Sequence, residues 1–150
     1  MATDVRHSVS VAAVVVNNEG RILMTKRRDN GKWEPPGGVL ETDESIIDGL
    51  GREVLEETGL HVAPDRLTGV YKNMPRGIIA LVFRARITDG AEVGATSETT
   101  QLQWLTLDQV REHCDEAYAI RIMDALNEPG PAVSAHDGIR LIPGLASLPN

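Results

Sequence analysis

Aromatic side chains are scarce in this chain of 150 residues, which contains one phenylalanine, two tryptophans and two tyrosines. A hydrophobic core must therefore consist mostly of Val, Ile, Leu and Ala, and the length suits one ordinary domain. The single cysteine, Cys114, excludes an internal disulfide and a cysteine-rich zinc site, and it suits a reducing compartment. We interpret Cys114 as a small apolar filler on an amphipathic helix.

Long apolar runs and an excess of positive charge are also missing. No run approaches the ~20 apolar residues that a membrane helix needs, and the N-terminus lacks a signal-peptide pattern. We therefore expect a cytoplasmic protein without a membrane partner. The net charge of −7 argues against a protein that binds nucleic acid through a basic surface. It is compatible with a small phosphate-bearing substrate that arrives paired with a metal ion.

Acidic residues, by contrast, are concentrated between residues 38 and 60. Glu53, Glu56 and Glu57 stand at i,i+3 and i,i+4 spacing, so they share one face of a helix. Carboxylates this close repel one another unless a cation lies among them, and Mg²⁺ or Mn²⁺ suits such hard oxygen ligands. We favour a divalent metal site over an ordinary solvated acidic face. The apolar stripe of the same helix is expected at Ile46, Ile47, Leu50 and Val54.

The same segment matches a complete sequence signature, G-x5-E-x7-R-E-U-x-E-E-x-G-U, in which U is an apolar residue. This is the signature of the Nudix hydrolases, which the chain resembles from approximately Val5 to Asn127. The resemblance implies an α/β fold, a Nudix-type α/β/α sandwich with a mixed β-sheet. The layout is most similar to the MutT-like branch of the family. The fixed positions are filled by Gly38, Glu44, Arg52, Glu53, Val54, Glu56, Glu57, Gly59 and Leu60.

The order of the expected elements agrees with that architecture. Residues 1–127 are expected to form the Nudix domain, and residues 128–150 a linker followed by a small hairpin or tail, with a turn at Asp137-Gly138. This tail could cap the sheet, reach a partner subunit or remain mobile, and together with the family resemblance it suggests a homodimer. The expected strands are Ser8–Val16 and Arg21–Lys26, joined as a hairpin, then Leu67–Tyr71, Ile78–Ile87 before a turn at Asp89-Gly90, and Leu102–Leu105. The expected helices are Glu44–Thr58, Asp108–His113 and Glu116–Leu126.

The resemblance also implies roles for residues within the signature. Glu44 is implied to pair with Arg52 and so to hold the loop on the helix, in support of catalysis. Gly38 allows the backbone to approach the metal and the substrate closely. The implied ligands of Mg²⁺ or Mn²⁺ are Glu53, Glu56, Glu57 and a main-chain carbonyl, which we place at Gly37.

Three residues outside the signature are further candidates. Glu98 stands six residues before Trp104, and in the MutT-like branch a glutamate at that spacing is a metal ligand. Arg27 falls where the same branch contacts phosphate, although a solvated strand end is an equal alternative. Trp33 could stack on a base or pack in the core. Either Glu53 or Glu98 could serve as general base, and we favour Glu53.

These features predict a metal-dependent pyrophosphohydrolase that acts on a nucleoside diphosphate linked to another group. Our first hypothesis is cleavage of a nucleoside triphosphate to the monophosphate and pyrophosphate. Pro75, at a spacing typical of the ADP-ribose branch, keeps ADP-ribose or a nucleotide sugar open as a substrate. Pro35 and Asp115 depart from the branch that cleaves oxidised dGTP. A non-catalytic nucleotide-binding regulator is a further hypothesis, against which the complete set of glutamates argues, and the net charge argues against an enzyme acting on RNA ends.

Overall fold

The computed structural model describes residues 6–127 and 130–142, which contain eight strands and three helices. Val5, residues 128–129 of the expected linker and residues 143–150 of the expected tail lie outside the described residues. The strands are β1 (Ser8–Val15), β2 (Ile22–Arg27), β3 (Trp33–Glu34), β4 (Gly37–Val39), β5 (Leu60–Asn73), β6 (Ile78–Gly90), β7 (Thr99–Leu105) and β8 (Ala132–His136). The helices are α1 (Ile46–Thr58), α2 (Leu107–His113) and α3 (Glu116–Leu126). None of these helices is long and apolar enough to cross a membrane.

The strands form two sheets. The larger has the order β4-β1-β6-β5-β8, in which β1 pairs with β6 and β5 with β8 in parallel, while the other two pairs are antiparallel. The smaller has the order β3-β2-β7 and is antiparallel throughout. The expected mixed sheet is therefore confirmed.

Helices cover both faces of the larger sheet, and β1 shows how the sequence arranges this. Because successive side chains of a strand point to opposite faces, Val11, Ala13 and Val15 contribute to the core beneath α1, whereas Ala12 and Val14 contribute to the core beneath α2 and α3. This arrangement is the expected α/β/α sandwich. Cys114 is half-buried against the second core, and burial raises its pKa to about 12, in keeping with an apolar filler.

Helix α1 begins two residues later than the sequence predicts. Ser45 is its N-cap, and the Ser45 hydroxyl accepts a hydrogen bond from the backbone N–H of Asp48 at 3.1 Å. Gly59 ends the helix in the left-handed conformation, with φ of 78°, as expected. The predicted apolar stripe is wrong at its start, because Ile46 and Ile47 are 41% and 47% exposed. The buried face is rotated towards Leu50, Glu53, Val54, Glu57 and Thr58, so acidic side chains take part of the space that an apolar stripe would fill.

The predicted hairpin of the first two strands exists only at its turn. Asn17 accepts backbone hydrogen bonds from Glu19 and Arg21 on its side-chain oxygen, and a single bridge joins Val16 to Ile22. Beyond that bridge β1 and β2 enter different sheets. The reason is that β4 and β6 occupy both edges of β1, which leaves no edge for β2.

The turn predicted at Asp89-Gly90 is also wrong, since both residues belong to β6. They pair with His61 and Leu60 at the start of β5. Strand β5 follows directly after the end of α1, so β5 and β6 are both longer than the sequence suggests. Gly90 has a φ of 101°, and a Cβ there would lie 2.4 Å from the carbonyl oxygen of Gly59, which explains the glycine.

The segment after residue 130 joins the larger sheet. Strand β8 pairs in parallel with β5, and after Asp137-Gly138 the chain turns back to form one antiparallel bridge between His136 and Leu141. The carbonyl of Ile139 accepts a hydrogen bond from the N–H of Ala117 at 2.8 Å, which fixes this segment to the first turn of α3. The domain boundary at residue 127 and the linker that follows stay predictions.

Candidate active site

Three carboxylates from distant parts of the chain meet at one point. Glu53 and Glu57 project from α1, and Glu98 lies in the loop before β7. Each offers one oxygen, and these atoms all lie within 4.8 Å of one another. Glu53 and Glu57 are buried, with 7% and 8% of their surface exposed, whereas Glu98 is exposed. Hard oxygen donors this close together fit a divalent cation such as Mg²⁺ or Mn²⁺.

Burial changes the acidity of the two helix carboxylates. It raises the pKa of Glu57 to about 8, although a hydrogen bond at 3.1 Å from the N–H of Gly37 acts in the opposite direction. Burial also raises the pKa of Glu53, against the lowering effect of its hydrogen bond from Arg52. Two such groups ionise together only when further positive charge is close, which a bound cation would supply.

The two glycines of β4 make room for this cluster. Gly37 pairs with Ala12 of β1, and a Cβ on Gly37 would lie 2.1 Å from the carbonyl oxygen of Val11. A Cβ on Gly38 would lie 2.4 Å from the Glu53 carboxylate. A side chain at position 37 would thus clash with the backbone of β1, and a side chain at position 38 would clash with the Glu53 carboxylate. The expected metal contact of the Gly37 carbonyl stays a prediction.

Arg52 organises one side of the cluster. It forms a bidentate pair with Glu44, with nitrogen–oxygen distances of 2.9 and 2.7 Å. This hydrogen bonding lowers the pKa of Glu44 to about 2. Nη1 of Arg52 also donates to Glu53 at 2.9 Å and to Glu56 at 3.2 Å. The Glu44–Arg52 contact that the resemblance implies is present. The same Arg52 guanidinium orients the Glu53 carboxylate through its hydrogen bond.

Glu56 does not join the three-carboxylate group. Its side chain is 59% exposed, and its only described partner is Arg52. The helix directs it to the edge of the acidic face, one residue before Glu57 and three after Glu53. Its predicted role as a metal ligand stays a prediction.

The loop that carries Glu98 is held by hydrogen bonds to the end of β2. The hydroxyl of Thr96 accepts from the N–H groups of Glu98 and Thr99 at 3.2 and 3.0 Å. The carbonyl of Glu98 accepts from the N–H of Arg28 at 2.9 Å, and the Arg28 guanidinium donates to the carbonyl of Thr96 at 2.9 Å. These bonds place Glu98 opposite α1, where the spacing to Trp104 suggested a ligand.

The carboxylates line one cavity, and a second cavity adjoins it. The smaller, of about 440 Å³, contains all three clustered glutamates in its wall. The larger, of about 570 Å³, is lined on its other side by α3 and by the segment after β8. The residues that line both cavities are Arg27, Asp29, Glu34, Gly37, Gly38 and Val39.

The two remaining candidates of the sequence lie in different settings. Arg27 lines both cavities, but Asp29 binds it bidentately at 2.9 and 2.7 Å and Glu34 binds it at 3.0 Å. Its predicted phosphate contact would therefore have to compete with two carboxylates. Trp33 is half-buried and packs against the core beneath α2 and α3, which favours the core-packing alternative. Substrate contact by Arg27 and Trp33 stays a prediction.

Comparison with known proteins agrees with this geometry. The NUDIX domain family matches residues 6–126. The chain belongs to the Nudix family. A MutT-like protein from Streptomyces ambofaciens is 58% identical over 137 residues, which covers 91% of this chain and 88% of the relative. A putative 8-oxo-dGTP diphosphatase from Bacillus subtilis is 34% identical over 93 residues, with 62% of each chain covered.

Solved Nudix structures have the same fold. A NUDIX hydrolase from Nitrosomonas europaea is similar with a TM-score of 0.69 and 28% identity, over 79% of this chain and 88% of that one. A second NUDIX hydrolase structure from the same organism reaches a TM-score of 0.76 at 21% identity and supports the fold alone. The protein is thus a Nudix hydrolase, and Nudix hydrolases generally use divalent metals, a requirement that the donor set of Glu53, Glu57 and Glu98 fits.

The Nudix signature gives no indication of one further residue of the larger cavity. Arg121 of α3 lines this cavity and is only 7% exposed. The sequence feature that could have indicated Arg121 is a charged residue at an inward position of an amphipathic helix, beside Ile122. Asp115, which the resemblance marks only as a departure from the branch that cleaves oxidised dGTP, also lines the cavity and accepts a hydrogen bond from Lys32 at 2.7 Å.

Proposed function

We propose that this Nudix hydrolase is a metal-dependent pyrophosphohydrolase that cleaves a nucleoside triphosphate to the monophosphate and pyrophosphate. The observation that supports this is the position of the three-carboxylate cluster beside a cavity of about 570 Å³, a volume in the range of small-molecule sites. Relatives named as 8-oxo-dGTP diphosphatase and ADP-ribose pyrophosphatase act on small nucleotides.

The proposed cofactor is Mg²⁺ or Mn²⁺, held by Glu53, Glu57 and Glu98, with Glu56 and the carbonyl of Gly37 as additional candidates. A diphosphate linkage resists hydrolysis because its own negative charge repels hydroxide, and a divalent cation neutralises that charge and activates water. Such a cation would also allow the two buried carboxylates to stay ionised together.

The protein's own part is to position these groups. Arg52 holds the Glu53 carboxylate, and the N–H of Gly37 holds that of Glu57. We take Glu53 as the general base, because a carboxylate with a raised pKa accepts a proton more readily than an ordinary one. Glu98 is the alternative base, being the exposed member of the cluster.

One observation favours a second candidate substrate, ADP-ribose or a nucleotide sugar. An ADP-ribose pyrophosphatase from Methanocaldococcus jannaschii is 31% identical over 103 residues, covering 64% of this chain and 60% of that protein. Pro75, which the sequence offered as a weak sign of that activity, lines the larger cavity. A non-catalytic regulator is disfavoured, since every glutamate of the signature is present.

The proposal is tested by incubating the enzyme with Mg²⁺ or Mn²⁺ and a panel of substrates. The panel holds normal and oxidised nucleoside triphosphates, ADP-ribose and a nucleotide sugar, and products are identified by chromatography. We expect monophosphate and pyrophosphate from at least one triphosphate, at a higher kcat/KM than for ADP-ribose. Preferential cleavage of ADP-ribose would support the second candidate. Binding without cleavage of any compound would support a regulator.

A further inference from the structure

Arg121 is a buried cation that lines the larger cavity. Its guanidinium carbon lies 4.5 Å from the ring centre of Tyr118 and 5.2 Å from that of Tyr71. Nε is buried without a hydrogen-bond partner. Within the part of the chain that the structure describes, no carboxylate lies within salt-bridge distance of it, and desolvation lowers its pKa more strongly than the attraction of the Glu34 charge raises it. A buried charge in this state is costly, and the two cation–π contacts offset only part of that cost.

The contact of Arg121 with His136 does not use the full hydrogen-bonding capacity of the guanidinium either. Nη2 lies 3.3 Å from Nε2 of His136, while Nδ1 of the same ring accepts a hydrogen bond from the N–H of Gly138 at 2.9 Å. A neutral imidazole accepts at one nitrogen and donates at the other. His136 therefore cannot accept from both Arg121 and Gly138, and the guanidinium of this cavity-lining residue keeps unused donor capacity.

The charge balance of the cavity indicates what this donor would bind. Arg121 is one of four cationic side chains in the lining, and four acidic side chains stand among them. Two of the other three cations, Arg27 and Lys32, are already paired with acids. A cavity with no net charge suits a neutral group better than a chain of phosphates, and its apolar lining includes Pro35 and Ile78. A flat, neutral heterocycle that presents a hydrogen-bond acceptor fits this description.

We propose that Arg121 selects the base of the nucleotide, by donating to a carbonyl oxygen that a 6-oxopurine presents and a 6-aminopurine does not. Guanidinium is a donor only, so the amino group of a 6-aminopurine offers it nothing to bind. The same side chain is the usual partner of the O6 and N7 atoms of guanine. This inference rests on the proposed function, because it assumes that the larger cavity holds the base of the substrate.

The inference also gives the C-terminal segment a part in the site. His136, Gly138 and Ile139 lie beyond residue 126, where the family match ends. Gly138 and Ile139 line the larger cavity, and His136 contacts Arg121. The base would therefore meet a wall that this segment adds to the matched domain.

The test compares dITP with dATP, since hypoxanthine differs from adenine in carrying a carbonyl in place of the amino group. For the wild type we expect kcat/KM for dITP to exceed that for dATP by at least about 10-fold, as for other sites built to hydrogen-bond one substrate group. In Arg121→Met the ratio should fall towards one, mainly through loss of dITP cleavage. Arg111→Met, which removes an exposed cation from α2, should keep the wild-type ratio.

Other outcomes have distinct meanings. The inference is overturned if Arg121→Met leaves the ratio of kcat/KM for dITP to kcat/KM for dATP unchanged. If both values fall by the same factor, the result would point to a phosphate contact instead. Should Arg121→Met fail to fold, the Kd values of the wild type for dIMP and dAMP are compared instead. We expect tighter binding of dIMP, and equal Kd values would contradict the inference. Failure to cleave any triphosphate of the substrate panel would refute the proposed function, while the dIMP and dAMP comparison would still test Arg121.

Discussion

At the residue scale, the site is built from acids that the fold buries at a cost. Glu57 is desolvated and lies close to Glu53, and both effects raise its pKa. Helical spacing predicted the proximity of Glu53 and Glu57 but also pointed to Glu56, which lies outside the cluster, and the resemblance pointed to Glu98 through its distance from Trp104. Arg121 was not predictable, because what makes it unusual is burial beside two tyrosine rings, which only the tertiary structure creates.

Glu57 makes the stability of the metal-free protein depend on pH. Its pKa is about 8 in the folded state and 4.5 as an ordinary glutamate, so between these values the folded state holds a proton that the unfolded state has lost. Its contribution to stability is therefore full below about pH 4.5 and declines as the pH rises towards 8. We expect the Tm in EDTA to fall across this range by more in the wild type than in Glu57→Gln.

The control for this experiment is Glu112→Gln, an exposed position on α2 that should follow the wild type. Added Mg²⁺ should raise the wild-type Tm more at pH 8 than at pH 6, because binding requires the deprotonated carboxylate. A constant Tm difference between wild type and Glu57→Gln from pH 5 to pH 8 would show that Glu57 has an ordinary pKa.

Gly38 offers a second test at this scale. In Gly38→Ala the new Cβ would lie 2.4 Å from the Glu53 carboxylate, so that carboxylate must move away from the cluster. We expect kcat to fall about 100-fold, as for other displaced catalytic groups, while the protein remains folded by circular dichroism. Wild-type turnover in this variant would mean that the position of Glu53 is not critical.

At the element scale, α1 carries two glycines in different surroundings. A Cβ on Gly49 would lie 2.3 Å from Leu40 Cδ1 and 2.9 Å from the Glu44 carboxylate, whereas a Cβ on Gly51 meets nothing within 4 Å. Gly49 therefore permits close packing of the preceding loop, and Gly51 only weakens the helix.

This difference predicts opposite effects of the same substitution. Gly51→Ala should raise the free energy of unfolding by about 0.5–1 kcal/mol, the usual difference in helix propensity. Gly49→Ala should lower it, because Leu40 or Glu44 must shift. Urea denaturation of both variants measures this, and stabilisation by Gly49→Ala would contradict the packing described for the loop.

The helices were more predictable than the strands. Their ends are marked by local residues such as Ser45 and Gly59, and α3 spans the predicted Glu116–Leu126 without change. The hairpin of β1 and β2 was wrong because strand pairing depends on which edges distant strands have already occupied. The exposed Ile46 and Ile47 show a similar limit, since contacts with β1 and β4 decide which helix face is buried.

At the scale of the whole molecule, the C-terminal segment is packed on the domain and not separate from it. Strand β8 completes one edge of the larger sheet, and Ala132 and His136 are buried. A chain ending at Asn127 would expose the β5 edge and open one wall of the larger cavity. We expect such a truncated protein to have a clearly lower Tm than the full chain, and an unchanged Tm would show that residues 128–150 are an independent appendage.

The most direct measurement for the site as a whole is a Mn²⁺ titration followed by electron paramagnetic resonance at pH 8, without nucleotide. We expect saturable binding by the wild type and by Glu112→Gln, and binding at least about 10-fold weaker in Glu57→Gln, because a ligand of the cluster is lost. Equal Mn²⁺ affinity in the wild type and in a folded Glu57→Gln variant would refute a cation site at Glu53, Glu57 and Glu98.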